Sequence, residues 1–299
     1  TLHSISTTAD SARSVVAADV DGDGDLDALS ASFNDDKIAW YENRGGQFAL
    51  PTTNRAQGFV PNSQEDDIFQ VELRHRGRAG DGDVEMTGLE LLFEETTADP
   101  LSDAEANALI QRLSVYLDDG SGSFEATSDT EIAFVTSLSL TSGAQSIPFA
   151  DDDSSVQTSF GSSKTYFVVM ELTADAASQT PNSFQVTHLT ETSSTGEDAT
   201  YDISLVLEGR PNVSTGIIDT VLDATNCSAP YELNLLGVTV STTLTCQAGT
   251  TLRAGPTFVV APTGTLTFRA GEGIVLQSDF EVQTGATFTA EIDPSLKPE

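Results

Sequence analysis

The residues with the clearest chemical potential lie near the start of the chain, in the run Asp-Val-Asp-Gly-Asp-Gly-Asp-Leu-Asp. Aspartate occupies every second position of this run, at Asp19, Asp21, Asp23, Asp25 and Asp27. Such a density of negative charge is hard to fold unless a cation neutralises it, and ligands that are all oxygen favour a hard ion. In one register the first three aspartates take positions one, three and five of a calcium loop, and Gly24 makes its sharp turn. The run therefore predicts a Ca²⁺ site.

The residues around this loop indicate which elements hold it. Position twelve of the same register is Ser30, so the bidentate glutamate of a helix-loop-helix calcium site is missing. The flanking segments 15–18 and 28–33 have the composition and alternation of strands. We therefore predict a calcium loop that joins two β-strands.

A second acidic loop has a weaker resemblance to a metal site. The run 117–124 contains two aspartates and two glycines, and a third aspartate follows. The candidate ligands there are Asp118, Asp119, Ser121 and Asp129. Two interpretations stay open, a second Ca²⁺ loop between strands and an ordinary hairpin turn rich in Asp, Gly and Ser.

Composition limits the functional classes. The 299 residues include 13 Lys and Arg against 46 Asp and Glu, which gives a net charge of −33. This excludes a general nucleic-acid or anionic-membrane binder, because phosphate contacts need a basic surface. No apolar run is long enough to span a membrane. An acidic, lysine-poor surface suits a protein kept soluble in salty, calcium-bearing surroundings outside the cell, although solubility alone also explains it.

The two cysteines, Cys227 and Cys246, lie close together in the sequence. In an oxidising compartment they could close a small loop, whereas in a reducing one they would stay free thiols. The absence of an initial Met or a secretory segment indicates a mature or excised product. With the calcium loop and the acidic composition, the cysteines favour a secreted or cell-surface protein.

The first of three predicted domains, 1–56, resembles a known repeat. Ala18 to Asp27, followed by Ile-Ala-Trp-Tyr-Glu-Asn at 38–43 and Gly-Gly-Gln-Phe at 45–48, is similar to one FG-GAP/VCBS repeat of the integrin-like β-propellers. The resemblance implies blade strands and a Ca²⁺ loop. The strand-turn-strand pattern of 34–48 itself makes Ile38, Trp40 and Phe48 core candidates. No second run of this kind follows, and one blade cannot bury its own faces. We expect either further blades outside this sequence, or a neighbouring domain or chain that completes its strand edges.

The second domain, 57–213, is predicted to be an immunoglobulin-like β-sandwich with one short helix. Ser102 and Glu105 form a capping box, and apolar residues follow at helical spacing. About seven strand-like runs alternate with turn signals. These runs are 68–73, 84–93, 113–117, 132–135, 146–149, 165–172 and 183–189.

The third predicted domain, 214–299, contains a recurring motif in which small turn residues around a glycine precede a short alternating strand. The motif is typical of a β-solenoid, whose stacked rungs share one core. The run 264–292 also resembles the three-coathanger-stack domain found near the C-termini of secreted bacterial proteins. That resemblance implies a structural or surface-display role without chemistry of its own.

No catalytic constellation is visible in the sequence. His3, His75 and His188 lack metal-ligand spacing, and no nucleophile elbow, phosphate loop or dinucleotide fingerprint occurs. We therefore predict a non-catalytic, all-β extracellular protein, stabilised by Ca²⁺, that serves as a surface or filament subunit and associates with other copies. The alternative is an adhesion module of a larger secreted protein that binds carbohydrate or another cell-surface component.

Overall fold

The computed structural model describes residues 9–18, 20, 26–41, 48–77, 80–190, 194–208, 210–222 and 226–298. Over these residues the chain is nearly all β, with several sheets and one short α-helix, α1 (Asp103–Leu109). Ser102 caps α1, and the capping box with Glu105 is formed, with Ser102 Oγ accepting from the Glu105 N–H and the Glu105 carboxylate accepting from the Ser102 N–H. The all-β prediction and the predicted helix are therefore confirmed.

A three-stranded antiparallel sheet comes first. It consists of β1 (Ala12–Ala18), β2 (Asp27–Ser32) and β3 (Lys37–Tyr41), with β2 in the middle. The predicted strands on either side of the acidic loop are therefore present. Both β1 and β3 are edge strands, and among the described residues neither pairs with a strand outside this sheet.

One face of this N-terminal sheet is apolar and uncovered. Val16, Leu29 and Trp40 are aligned across the three strands, and the pair Ala31 and Ile38 lies beside them on the same face. Val16 is 57% exposed, Ile38 83% and Trp40 46%. The prediction that Ile38 and Trp40 are core residues is wrong, because no described residue of this sheet belongs to a hydrophobic core.

A β-sandwich follows. Its strands in chain order are β4 (Phe48–Ala49), β5 (Thr52–Asn54), β6 (Glu65–His75), β7 (Val84–Thr96), β8 (Asp99–Pro100), β9 (Ile110–Leu117), β10 (Thr130–Val135), β11 (Ala144–Pro148), β12 (Gln157–Thr158), β13 (Ser163–Leu172), β14 (Ser183–His188), β15 (Thr195–Asp198), β16 (Ile203–Ser204) and β17 (Val213–Asp219). One sheet has the order β10-β9-β13-β6-β4, and β5 also pairs with β6. The other has the order β16-β15-β7-β14-β17, and β8, β11 and β12 also pair with the long strand β7.

The two sheets enclose a single core. Phe69 and Tyr166 from the first sheet and Leu89, Phe93 and Phe184 from the second are all fully buried in it. Burial of such large apolar side chains between two sheets is the main source of stability for this architecture. The hydrogen bonding of β4 and β5 to β6, and of β17 to β14, carries the sandwich beyond the predicted limits of 57 and 213 at both ends.

The C-terminal part is a parallel stack. Its strands are β18 (Ser228–Ala229), β19 (Leu233–Leu235), β20 (Thr239–Val240), β21 (Thr243–Ala248), β22 (Thr251–Ala254), β23 (Phe258–Val260), β24 (Thr265–Ala270), β25 (Gly273–Leu276), β26 (Phe280–Val282) and β27 (Thr287–Ile292). They form three parallel sheets, β18-β21-β24-β27, β19-β22-β25 and β20-β23-β26. Thr243, Thr265 and Thr287 lie in register above one another, as do Phe258 and Phe280. The predicted β-solenoid-like stack is thus confirmed.

Two glycines show why the repeated motif contains this residue. A Cβ atom on Gly249 would lie 1.8 Å from the carbonyl oxygen of Pro230, and one on Gly271 would lie 1.9 Å from the carbonyl oxygen of Gly249. Successive rungs approach at this corner so closely that only glycine fits. The recurring glycines in the sequence therefore mark positions where the backbone of one rung packs directly on the backbone of the next.

Segment 55–60 joins the sandwich to the stack. The Gln57 amide donates to Asp66 Oδ1 at 2.8 Å, and its Oε1 accepts from the backbone N–H of Asn234 at 2.8 Å. The Arg55 guanidinium lies over the ring of Tyr231 at 4.5 Å. Phe59 is 4% exposed and packs in the core of the stack. This segment is thus a packed junction between the sandwich and the stack.

Candidate metal centres and disulfide

The N-terminal acidic loop connects β1 to β2. Ala18 and Asp27 face each other as the last pair of this antiparallel ladder, so the loop leaves and re-enters the sheet at one point. Of the predicted ligands, Asp19, Asp21, Asp23 and Asp25 lie outside the described residues. Asp27 is described, is 1% exposed, and accepts a hydrogen bond from the Val20 N–H at 3.0 Å. Its carboxylate is therefore directed back to the start of the loop, and the Ca²⁺ site there stays a prediction.

The second acidic loop brings three of its four predicted ligands together. Carboxylate oxygens of Asp118, Asp119 and Asp129 lie within 4.8 Å of one another. The fourth predicted ligand, Ser121, donates its hydroxyl proton to Glu125 Oε2 at 2.7 Å, and its backbone N–H donates to Asp119 Oδ1 at 3.0 Å.

Backbone donors already engage the carboxylates of this loop. Asp129 accepts from the N–H groups of Asp119 and Glu125 at 3.0 and 2.9 Å. Asp118 accepts from the N–H groups of Gly120 and Gly122 at 3.1 and 3.2 Å. These bonds are those of a hairpin stabilised by aspartate side chains. The geometry fits both interpretations that the sequence left open.

The described histidines are both engaged in hydrogen bonds. His75 Nε2 lies 2.8 Å from the carbonyl oxygen of Gly82, and its Nδ1 accepts from the Gly77 N–H at 3.0 Å. His188 is fully buried, with Nδ1 2.8 Å from Thr52 Oγ1 and Nε2 2.9 Å from Ser194 Oγ. Burial lowers the pKa of His188 to about 4. His3 lies outside the described residues.

Asp66 is a buried carboxylate at the junction of the sandwich and the stack. Burial, reinforced by the neighbouring charge of Asp67, raises the pKa of Asp66 to about 7. Both of its oxygens accept hydrogen bonds from Gln57, one from the backbone and one from the side chain. Because Gln57 also contacts the stack, this polar cluster holds the two parts in a defined arrangement.

Cys227 and Cys246 form a disulfide. Cys246 lies on β21, and the N–H of Gln247 donates to the carbonyl oxygen of Cys227, so the bond joins the first two rungs of the stack. The two cysteines are 19 positions apart in the sequence, and the segment between them contains β18, β19 and β20. The disulfide therefore closes the first rung covalently.

Reduction of this disulfide is expected to lower the free energy of unfolding by about 3 kcal/mol, because the unfolded chain regains the freedom of the closed loop. The measurement is the urea midpoint with and without a reductant. A Cys227→Ala, Cys246→Ala double variant serves as the control and is expected to show the lower midpoint under both conditions. Equal midpoints for the oxidised and reduced wild type would contradict the expectation.

One further group of carboxylates, around Glu85 on the sandwich, was not predicted from the sequence. Its members come from three separate segments, so no local spacing marks them.

No helix among the described residues is long and apolar enough to cross a membrane.

Comparisons with known proteins give little guidance. No protein-family model matches the sequence, and no similar curated protein was found. Among solved structures, the CupB6 tip adhesin from Pseudomonas aeruginosa is similar over 66% of this chain, with 12% sequence identity and a TM-score of 0.20. This chain spans 60% of the length of that adhesin chain. A TM-score this low does not establish a shared fold or a shared function.

Proposed function

We propose that this protein is a non-catalytic structural subunit of an extracellular or cell-surface assembly, stabilised by Ca²⁺, whose copies associate through the N-terminal sheet. The observation that carries the proposal is the uncovered apolar face of β1–β3. A three-stranded sheet normally needs a hydrophobic face packed on something else to be stable. In the described part of the chain, neither the sandwich nor the stack supplies that cover.

The chemistry of this face favours a second copy as its partner. The chain carries a net charge of −33, so most surfaces of two copies repel each other. The aligned residues of this face all lack charge. They are Val16, Leu29, Ala31, Ile38 and Trp40. Two such faces can therefore meet without bringing like charges into direct contact, and the edge strands β1 and β3 offer unpaired backbone groups beside them.

The proposed role of Ca²⁺ follows from the position of the acidic loop. The loop joins β1 to β2 at one end of the same sheet, with Asp27 buried at its base. A bound cation would remove much of the repulsion between neighbouring copies at this end. The disulfide supports an oxidising compartment outside the cell, and the resemblances to FG-GAP/VCBS and three-coathanger-stack domains support a surface role.

Negative-stain electron microscopy of the native protein, with and without a calcium chelator, tests this proposal. We expect ordered assemblies in Ca²⁺ that disperse on chelation. An Ile38→Asp variant should not assemble, because it places a charge within the apolar face. The control is Val206→Asp, at a position that is 64% exposed outside the N-terminal sheet, and it should assemble normally.

Isolated particles under all conditions, or assemblies unaffected by Ile38→Asp, would contradict the proposal. The half-exposed indole of Trp40 would then favour the alternative, a module that binds carbohydrate or another surface component. In that case the protein should stay monomeric at rising concentration in sedimentation, and a Trp40→Ala variant should lose the glycan-array signals of the wild type.

A further inference from the structure

The sandwich contains a cluster of five carboxylates centred on strand β7. Glu85 on β7 lies opposite Gln157 on β12 at one side and opposite Glu197 on β15 at the other, so the three side chains share one face. The loop after β11 adds Asp151 and Asp152, and the turn between β15 and β16 adds Asp202. Three distant segments therefore bring acidic side chains to one place.

The distances within the cluster are those of a cation site. Carboxylate oxygens of Glu85, Asp151 and Asp152 lie within 4.8 Å of one another, and so do those of Asp151, Glu197 and Asp202. Oxygens bound to the same Ca²⁺ at about 2.3–2.6 Å are at most about 5 Å apart. The Asp151 carboxylate belongs to both groups and links them.

Glu85 provides an independent indication of a missing ligand. Its side chain is 1% exposed. Oε2 accepts from the Gln157 amide at 2.6 Å, whereas Oε1 is buried and has no hydrogen-bond partner. A buried carboxylate oxygen without a partner is costly, because it has lost its water and gained nothing in exchange. This oxygen belongs to the carboxylate that meets Asp151 and Asp152.

The neighbouring charges that raise the pKa values of Glu85 and Glu197 are all carboxylates. Burial and then the charges of Asp151, Glu85, Asp202 and Asp152 raise the pKa of Glu197. Burial is also the main cause that raises the pKa of Glu85; the charges of Asp151 and Asp152 add to it, and the Gln157 amide and the backbone N–H of Asp152 oppose it. In the described part of the chain, no Lys or Arg forms an ion pair with any of the five.

We propose that Glu85, Asp151 and Asp152 bind a Ca²⁺ ion, with Glu197 and Asp202 adjoining it through Asp151. The ion would bind Glu85 Oε1, which has no hydrogen-bond partner, and would thereby connect the loop after β11 to strand β7. Hard carboxylate oxygens from flexible loops and one rigid strand are the ligand set that Ca²⁺ accepts. This site is separate from both acidic loops predicted from the sequence, and it does not depend on the proposed assembly.

Isothermal titration of the chelator-treated full-length chain with CaCl₂ tests the site. We expect Glu85→Gln to bind one Ca²⁺ fewer per chain than the wild type. In chelator, the thermal midpoint of Glu85→Gln should equal or exceed that of the wild type, because a buried charge is gone. On adding CaCl₂ the midpoint of the wild type should rise further than that of the variant.

Two further variants keep the test decisive. Asp151→Asn lies on an exposed loop, so it should fold normally and should also lose one bound Ca²⁺. Glu90→Gln makes the same chemical change on the same strand outside the cluster and should bind as the wild type does. The proposal is overturned if Glu85→Gln and Asp151→Asn bind as many ions as the wild type with the same affinity, or if Glu90→Gln loses an ion too.

Discussion

A Phe268→Ala variant is expected to lose about 3–5 kcal/mol of unfolding free energy in the C-terminal stack, the usual cost of a large cavity in a core. Phe268 is fully buried and its ring lies 5.8 Å from Phe258, 6.1 Å from Phe280 and 5.4 Å from Phe288. Its removal takes away the transfer free energy of the buried ring and also these aromatic contacts, both within its own rung and to the neighbouring rungs. Because each rung is stabilised mainly by its neighbours, the loss should affect the stack as a whole.

Urea unfolding followed by circular dichroism measures this loss. Val275→Ala is the matched control, since Val275 lies in the same stack but is 39% exposed. Its midpoint should move little, because a half-exposed side chain leaves no cavity. Similar losses for the two variants would mean that the row of phenylalanines is not the core of the stack.

The contribution of His188 to the stability of the sandwich is expected to fall as the pH decreases from about 6.5 to about 4. Its pKa is lowered to about 4 by burial, against 6.5 for an ordinary histidine. Between these values the unfolded chain binds a proton that the folded chain does not, so acid favours unfolding. The stabilisation is complete above pH 6.5, and its loss on acidification amounts to roughly 3 kcal/mol.

The hydrogen bonds of His188 explain why the neutral ring is preferred. Thr52 Oγ1 donates its only proton to the carbonyl oxygen of Leu50 at 3.0 Å, so it accepts from Nδ1–H of the imidazole. Nε2 is then the acceptor for the Ser194 hydroxyl. A second proton would make the ring a cation at a fully buried position, and this loss of hydration is the cause of the lowered pKa of His188.

Urea midpoints of the wild type and His188→Gln between pH 7 and pH 4 test this account. The variant should be less stable at pH 7, because it loses packing and a hydrogen bond, and the difference should shrink as the pH falls. Val186→Ala on the same strand provides a destabilised control whose difference from the wild type should stay constant. A constant difference for His188→Gln as well would show that His188 does not titrate in this range.

The candidate groups of carboxylates differ in how visible they are in the sequence. Asp118, Asp119 and Asp129 are close in the chain and meet in the structure, as their turn chemistry predicted. Glu85 and Glu197 are far apart in the chain and become neighbours only because β7 and β15 pair. Local spacing can reveal the first kind of site and cannot reveal the second.

The sequence by itself determined the local elements of this protein. Alternating apolar residues specified strands, Ser102 and Glu105 specified the helix start, and recurring glycines specified the stacked rungs, because each signal acts between residues a few positions apart. Only the tertiary structure decided that Trp40 lies on an uncovered face, that His188 is buried and that Glu85 meets Asp151. Those outcomes depend on which strands pair and which faces pack, and such long-range choices are made by the whole core rather than by any short segment.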